Sequence, residues 1–365
     1  MATYIVGMDS SVHADDTAAQ GAITTAGGTV TKTYSFALTY KIDCTADQLA
    51  AINGVLTSEA DNFEAVITPS FNTTHLKALC NNIGSSSTNY NPSSTGAGEH
   101  LYLVDTGINT THDEFSGATV NNLYTAFESD YTDTAGHGTV MAGLIVGANI
   151  GTAKNATLHN VKAMNANPYT GTIGAMVDAL EAILVHHNAN TPAQTKVVVC
   201  CWTTGKNALL DMKFSELEDN NLIVVCSAGN NANDVDFYSP AGLDRVMTVG
   251  GHNASLNVGY FTGTTGSNLG PEVDIFGMSE NVSIIDFSDN SAYVTANGSS
   301  VAAAQIAGLS LQYIDLYPSA DARTVKGNML TFDKNEIVVL ENRKINRGGN
   351  NNSNAFDKGV GINSE

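Results

Sequence analysis

Asn297-Gly298-Ser299-Ser300-Val301-Ala302-Ala303-Ala304-Gln305-Ile306-Ala307-Gly308 decides how this chain is read. Small residues lead into an apolar, alanine-rich stretch that predicts a helix over 300–316. Unpaired N–H groups at a helix start favour nearby negative charge, so a hydroxyl at Ser300 stands where a developing oxyanion is stabilised. That is acyl-transfer chemistry. Taken alone, Gly-Ser-Ser before such a helix is more often a simple N-cap than a nucleophile, and the choice depends on partners elsewhere.

Three other segments supply candidates. A strand predicted over 101–104 ends in Asp105-Thr106-Gly107, which projects a carboxylate from a strand end; a cap or turn aspartate fits the same residues. Ala135-Gly136-His137-Gly138-Thr139 opens an apolar helix, and its glycines let backbone and substrate come close to the imidazole. Ser227-Ala228-Gly229-Asn230-Asn231 follows the apolar run 222–226. The Asn230 amide offers two donors that suit an oxyanion hole, although an ordinary Gly-Asn turn also fits. The four signals occur in the order Asp, His, Asn, Ser, each on a strand end or helix start, which makes chance a poor explanation.

Between residues 99 and 317 short apolar strands (101–104, 157–161, 196–201, 222–226, 246–249) alternate with helical stretches (137–147, 172–187, 208–219, 300–316). Such alternation predicts an α/β fold, a parallel sheet with helices on both faces, and its functional residues belong outside the carboxyl ends of the strands. Ahead of it, strands over 4–8, 29–33, 35–42 and 65–67 and helices over 15–26 and 46–56 give the order βαββαβ of a small ferredoxin-like α+β unit. Thr45 with Gln48 marks a capping-box start. The expected organisation is 1–72 as that unit, 73–98 as a Ser/Thr/Asn-rich linker, 99–320 as the larger domain and 321–365 as a C-terminal extension.

The chain has 365 residues, 42% of them apolar, enough to bury a large core. Its net charge of −20 with only 16 Lys and Arg argues against nucleic-acid binding, and no apolar run approaches the roughly 20 residues of a membrane-spanning helix. Seven of the basic residues, Arg323, Lys326, Lys334, Arg343, Lys344, Arg347 and Lys358, fall in the C-terminal extension, which reads as a solvated tail or as a docking segment for an acidic partner. Five cysteines, three of them in strand-like runs, are expected as mostly free thiols. The N-terminus lacks the basic start and apolar stretch of a secretory signal, which leaves localisation open, with export by a non-classical route and association with a virus particle as alternatives.

These blocks together resemble the subtilisin-like serine proteases, most closely the proteinase K branch. The similar segments are 98–115 (GEHLYLVDTGINTTHDEF), 136–147 (GHGTVMAGLIVG), 228–250 (AGNNANDVDFYSPAGLDRVMTVGG), 273–277 (VDIFG) and 297–308 (NGSSVAAAQIAG). The resemblance implies a subtilisin-like fold preceded by an inhibitory propeptide, a peptide or protein substrate, and synthesis as a self-inhibited zymogen. It implies Ser300 as nucleophile, His137 as general base and then acid, Asp105 as the group that orients the imidazole, and Asn230 with the Ser300 N–H as oxyanion hole. Ser299 is the rival nucleophile; it aligns with the family's threonine. No cofactor is required. Calcium is compatible as a structural ion, but no Asp/Glu cluster of ligand spacing stands out.

The clearest departure is Trp202-Thr203-Thr204-Gly205, where the family usually has Ser-Leu-Gly-Gly to bind the extended peptide. Thr204 would place a branched side chain on the substrate's path, and Trp202 would either narrow the pocket or fill the core. The alternative function is therefore a catalytically weak or silent member of the fold, serving a structural or binding role in a larger assembly such as a virus particle.

Overall fold

The computed structural model describes residues 1–34, 37–61, 63–64, 92, 94–165, 170–255, 257–262, 265–331 and 340–341. Two sheets organise them. The first contains β1 (Ala2–Met8), β2 (Thr29–Thr33), β3 (Leu38–Cys44) and β4 (Val55–Ala60), antiparallel and ordered β2-β3-β1-β4, with helices α1 (Asp16–Thr25) and α2 (Ala46–Ala51). The capping box at α2 is complete: the Gln48 N–H donates to Thr45 Oγ1 at 3.2 Å and the Thr45 N–H to Gln48 Oε1 at 2.8 Å.

The βαββαβ order is as expected, but the fourth strand is not the one read from sequence. Helix α2 stops at Ala51 rather than at 56, because Asn53-Gly54 turns the chain, and Val55–Ala60 then pairs antiparallel with β1. Residues 65–67 lie outside the described residues, as do most of 73–98, Cys80 and nearly all of 332–365, including five of the seven basic residues of the extension.

The second sheet positions the site. Strands β5 (His100–Asp105), β6 (Thr119–Thr125), β7 (Thr157–Lys162), β8 (Lys196–Cys200), β9 (Leu222–Ser227), β10 (Met247–His252) and β11 (Val273–Met278) are parallel and ordered β11-β10-β9-β8-β5-β7-β6. Leu340–Glu341 adds a short antiparallel strand outside β11. Helices α3 (His137–Val146), α6 (Ser299–Leu316) and α7 (Ala322–Thr331) cover one face, and α4 (Ile173–Ala189) and α5 (Ala208–Asp219) the other.

Side-chain alternation explains why β8 and β9 read as unbroken apolar runs. Val197, Val199, Ile223 and Val225 enter the core under α3 and α6, whereas Val198, Cys200, Leu222 and Val224 enter the core under α4 and α5. A parallel sheet covered on both faces has no polar side to display. Helix α6 is buried from Ser299 to Ile314, and its buried polar side chains donate inside, Gln305 to the Met278 and Val301 carbonyls and Ser310 to the Ile306 carbonyl. Strand order reverses between β5 and β8, the topological position at which sheets of this kind gather functional residues beyond the carboxyl ends of their strands.

The N-terminal sheet packs on the larger body through Ile5 and Tyr34, both in the core cluster of α4 and α5. Lys32 pairs with Asp178, the Gly174 N–H donates to Asp61 beside the start of α4, and Phe63–Glu64 pairs antiparallel with Thr170–Gly171. Cys44, Cys200, Cys201 and Cys226 are free and buried. Among the described residues no helix is long and apolar enough to cross a membrane.

Candidate active site

Asp105 ends β5 and His137 begins α3, and the fold brings them into contact. The His137 Nδ1 lies 2.8 Å from Asp105 Oδ1 and 2.9 Å from Oδ2. An ionised carboxylate only accepts, so the Nδ1 carries the proton and the Nε2 is left as the basic nitrogen. The Thr106 N–H donates to Asp105 Oδ1 at 2.8 Å and fixes the carboxylate. Burial of the imidazole lowers its pKa, but the charge and hydrogen bond of Asp105, with the charge of Asp133 behind them, outweigh burial and raise it above the ordinary value.

Ser299 and Ser300 open α6 after Gly298, whose φ of +149° is a conformation that side-chain-bearing residues rarely adopt. The two serines have different surroundings. Ser299 is fully buried, donates from Oγ to Asn230 Oδ1 at 2.8 Å and accepts the Gly229 N–H at 3.1 Å. It is part of the scaffold. The Ser300 Oγ donates to the carbonyl of Cys201 at 2.7 Å, just past the end of β8. Its described hydrogen bond is therefore to main chain and not to His137, and a χ1 rotation between staggered wells separates this state from one turned elsewhere.

Asn230 follows β9. Its Oδ1 accepts both the Ser299 N–H, at 2.9 Å, and the Ser299 hydroxyl. Because an N–H can only donate, the atom facing it must be the amide oxygen, and the NH2 is turned the other way, toward Gly298, where an added Cβ would sit 3.4 Å from Nδ2. That leaves a donor pair beside the first turn of α6, whose own N–H groups lack intrahelical partners.

The segment 202–205 corrects one expectation. Trp202 is fully buried, donates from Nε1 to the Val104 carbonyl at 2.8 Å and packs near Phe214, so its ring belongs to the core under α5 and not to a substrate pocket. Alternation along the extended chain explains this: Cys201 faces one core cluster and Trp202 the other. Thr203 is buried, and Thr204 and Gly205 pair antiparallel with Ser239 and Tyr238, with Gly205 exposed.

Sequence reading overlooked Asp133. It is 2% exposed and accepts from Thr106 Oγ1 (2.9 Å), the N–H groups of Ala135 (2.8 Å), Gly136 (2.9 Å) and Thr139 (2.9 Å), and Thr139 Oγ1 (2.7 Å). An aspartate four residues ahead of a helix-opening histidine is a capping signal that could have been read. A carboxylate cluster also emerges only in three dimensions: Asp234, Asp236 and Glu272 bring ligand oxygens within 4.8 Å of one another. Three side chains fall short of the six to eight oxygens calcium takes, so they do not make a complete calcium sphere.

The sequence pattern of the subtilase family matches residues 96–359. The chain is 30% identical over 251 residues to an extracellular serine proteinase of Thermus sp. (strain Rt41A), covering 68% of this chain and 58% of that protein. It spans little more than half the length of the curated relatives it matches. Among solved structures, a cold-adapted subtilisin-like serine proteinase is similar at a TM-score of 0.60 with 25% identity, over 69% of this chain and 88% of that one. Fervidolysin from Fervidobacterium pennivorans, related to subtilisin, shares the fold at a TM-score of 0.68 with 15% identity, over 90% of this chain and 56% of that one.

Proposed function

This chain belongs to the subtilase family, and from that premise we propose that it is a serine endopeptidase acting through Ser300, His137 and Asp105. The observation that carries the reading is the imidazole of His137 held by Asp105 at the end of β5, with Ser300 hydrogen-bonded to Cys201 at the end of the neighbouring strand β8. Ser300 attacks the scissile carbonyl as His137 takes its proton. The tetrahedral oxyanion is held by the Asn230 NH2 and the Ser300 N–H, and the imidazolium then protonates the leaving amine. Asp105 orients the ring and stabilises its charge. No step passes through a metal or cofactor.

Residues 1–72 are read as an inhibitory propeptide of the kind that precedes the proteinase K branch, and the full chain as a zymogen. What supports this is the ferredoxin-like sheet docked on α4. Of the extension from 321, α7 packs into the larger body and Lys326 is committed to Asp274, so only the basic residues beyond α7 are read as meeting an acidic partner. A second reading, a silent member of the family within a larger assembly, draws on the bond from Ser300 to the Cys201 carbonyl.

The test is labelling of the full chain with a fluorophosphonate, before and after limited proteolysis that removes the N-terminal unit, beside Ser300→Ala. Labelling that depends on Ser300 and rises after removal is expected. No Ser300-dependent labelling in either state would sink the peptidase reading.

A further inference from the structure

We propose that Asp133 is a positioning residue of this site: its carboxylate ties the strand end that carries Asp105 to the helix start that carries His137, and its negative charge acts on the imidazole. The inference rests on the peptidase reading of Asp105, His137 and Ser300 and adds to it a residue outside the triad.

The connections are specific. Asp133 Oδ1 accepts from Thr106, the residue after Asp105, and from the N–H of Gly136, the residue before His137. The same Thr106 hydroxyl accepts the N–H of Gly138, the residue after His137, at 2.9 Å. Asp133 Oδ2 takes the Thr139 N–H and hydroxyl, and that hydroxyl in turn accepts the Asn109 N–H at 2.9 Å. Every chain neighbour of the His137–Asp105 pair on these two elements, except Val104 on the strand side, is thus linked through one buried carboxylate. An ionised carboxylate, which only accepts, matches a shell of five donors. The lock acts on spacing: a histidine displaced by even a fraction of an ångström from its carboxylate and nucleophile loses much of its advantage.

The charge matters as well as the geometry. Among the described residues, the charges that act on the imidazole are those of Asp105 on β5 and Asp133 on the loop before α3. Lys162 on β7 binds Asp130 Oδ2 at 2.9 Å and the Thr132 carbonyl at 2.6 Å, holding the loop just ahead of Asp133. Asp133 is the buried anion of this set that does not touch the ring, and it favours the protonated imidazole through space.

The experiment titrates His137 directly by imidazole NMR in Ser300→Ala and in Ser300→Ala with D133N. It also measures the pH profile of kcat/KM in D133N and T106V on the otherwise unchanged full chain after activation. In D133N the imidazole pKa should fall by on the order of half to one pH unit, as expected for loss of one neighbouring charge across a partly screened interior, and the acid limb of kcat/KM should move the same way. T106V keeps the charge and loses the link, so kcat should drop on the order of tenfold with KM unchanged.

An imidazole that titrates alike with and without Asp133, in variants that retain their fold by near-UV circular dichroism, overturns the inference. So does a T106V variant with unaltered kcat. Should D133N fail to fold, T106V and T139V decide it by the same split of kcat from KM. The NMR arm needs no turnover, so absence of Ser300 labelling in the parent chain would count against the peptidase reading without deciding this one.

Discussion

Lys326→Met should destabilise the protein in a way that depends on pH. Lys326 on α7 places its ammonium 2.6 Å from the Asp244 carbonyl, 2.6 Å from the Val246 carbonyl and 3.0 Å from Asp274 Oδ2. The two side chains are 16% and 15% exposed. Burial pushes the Asp274 carboxyl up from 3.8 to about 6 even though Lys326 and the Thr248 N–H pull it down. A rise of that size corresponds to about 3 kcal/mol against the charged form. Because the folded pKa lies above the unfolded one, Asp274 supports the fold when protonated, and that support is lost as pH rises through about 6.

Removing the ammonium leaves a buried carboxylate with only the Thr248 N–H as its described partner, and breaking a buried pair from one side costs about 3–5 kcal/mol. The slight exposure argues for the lower end, so we expect a loss of about 3 kcal/mol at pH 8. At pH 5 the carboxyl of the variant is neutral, and only the hydrogen bonds to the two carbonyls are missing, about 1 kcal/mol. Urea unfolding at both pH values, read as the difference between variant and parent, cancels the contributions of other titrating groups. In a D274N background the Lys326→Met cost should be about 1 kcal/mol at either pH. Equal costs at pH 5 and 8 in the native background, or a full cost in D274N, would refute the argument.

Further outcomes follow from the same structure. Asn230→Ala should lower kcat by about 10²- to 10³-fold with little change in KM, the range measured for the corresponding donor in a subtilisin, and also loosen Ser299, as steady-state kinetics and thermal unfolding would show. Gly138→Ala places a Cβ 2.2 Å from the Gly107 carbonyl oxygen and 3.1 Å from Asp105 Cβ, so it should both destabilise the chain, by roughly 1–3 kcal/mol, and abolish Ser300 labelling. His159 and His187 are held neutral, chiefly by burial, with pKa values lowered to about 3 and about 4. The unfolded chain takes up those protons first, so stability should fall as pH drops below about 6.5. His159→Asn should flatten that slope in acid unfolding curves.

How far the sequence could be read differs from element to element. Five of the seven parallel strands and the helices α3 to α6 were legible because buried apolar runs and periodicity record burial directly, whereas β6, an edge strand with no fully buried side chain, and β11 were not read as strands. Asp105, His137, Asn230 and Ser300 were legible because glycines and strand ends frame them. The fourth strand of the N-terminal sheet was misplaced, since the pairing of Val55–Ala60 with β1, the first strand of the unit, is a long-range choice that local helix propensity cannot reveal.

What the sequence determined by itself was composition and period: an acidic α/β chain, a small α+β unit ahead of it, and four chemically apt residues in a fixed order. The tertiary structure decided what each side chain faces. It put Trp202 into the core, gave Ser299 to the scaffold, turned the Ser300 hydroxyl to the Cys201 carbonyl, and gathered Thr106, Gly136 and Thr139 around Asp133. The reason is that directional hydrogen bonds depend on atoms brought together from distant segments, whereas burial of an element leaves its mark along the element itself.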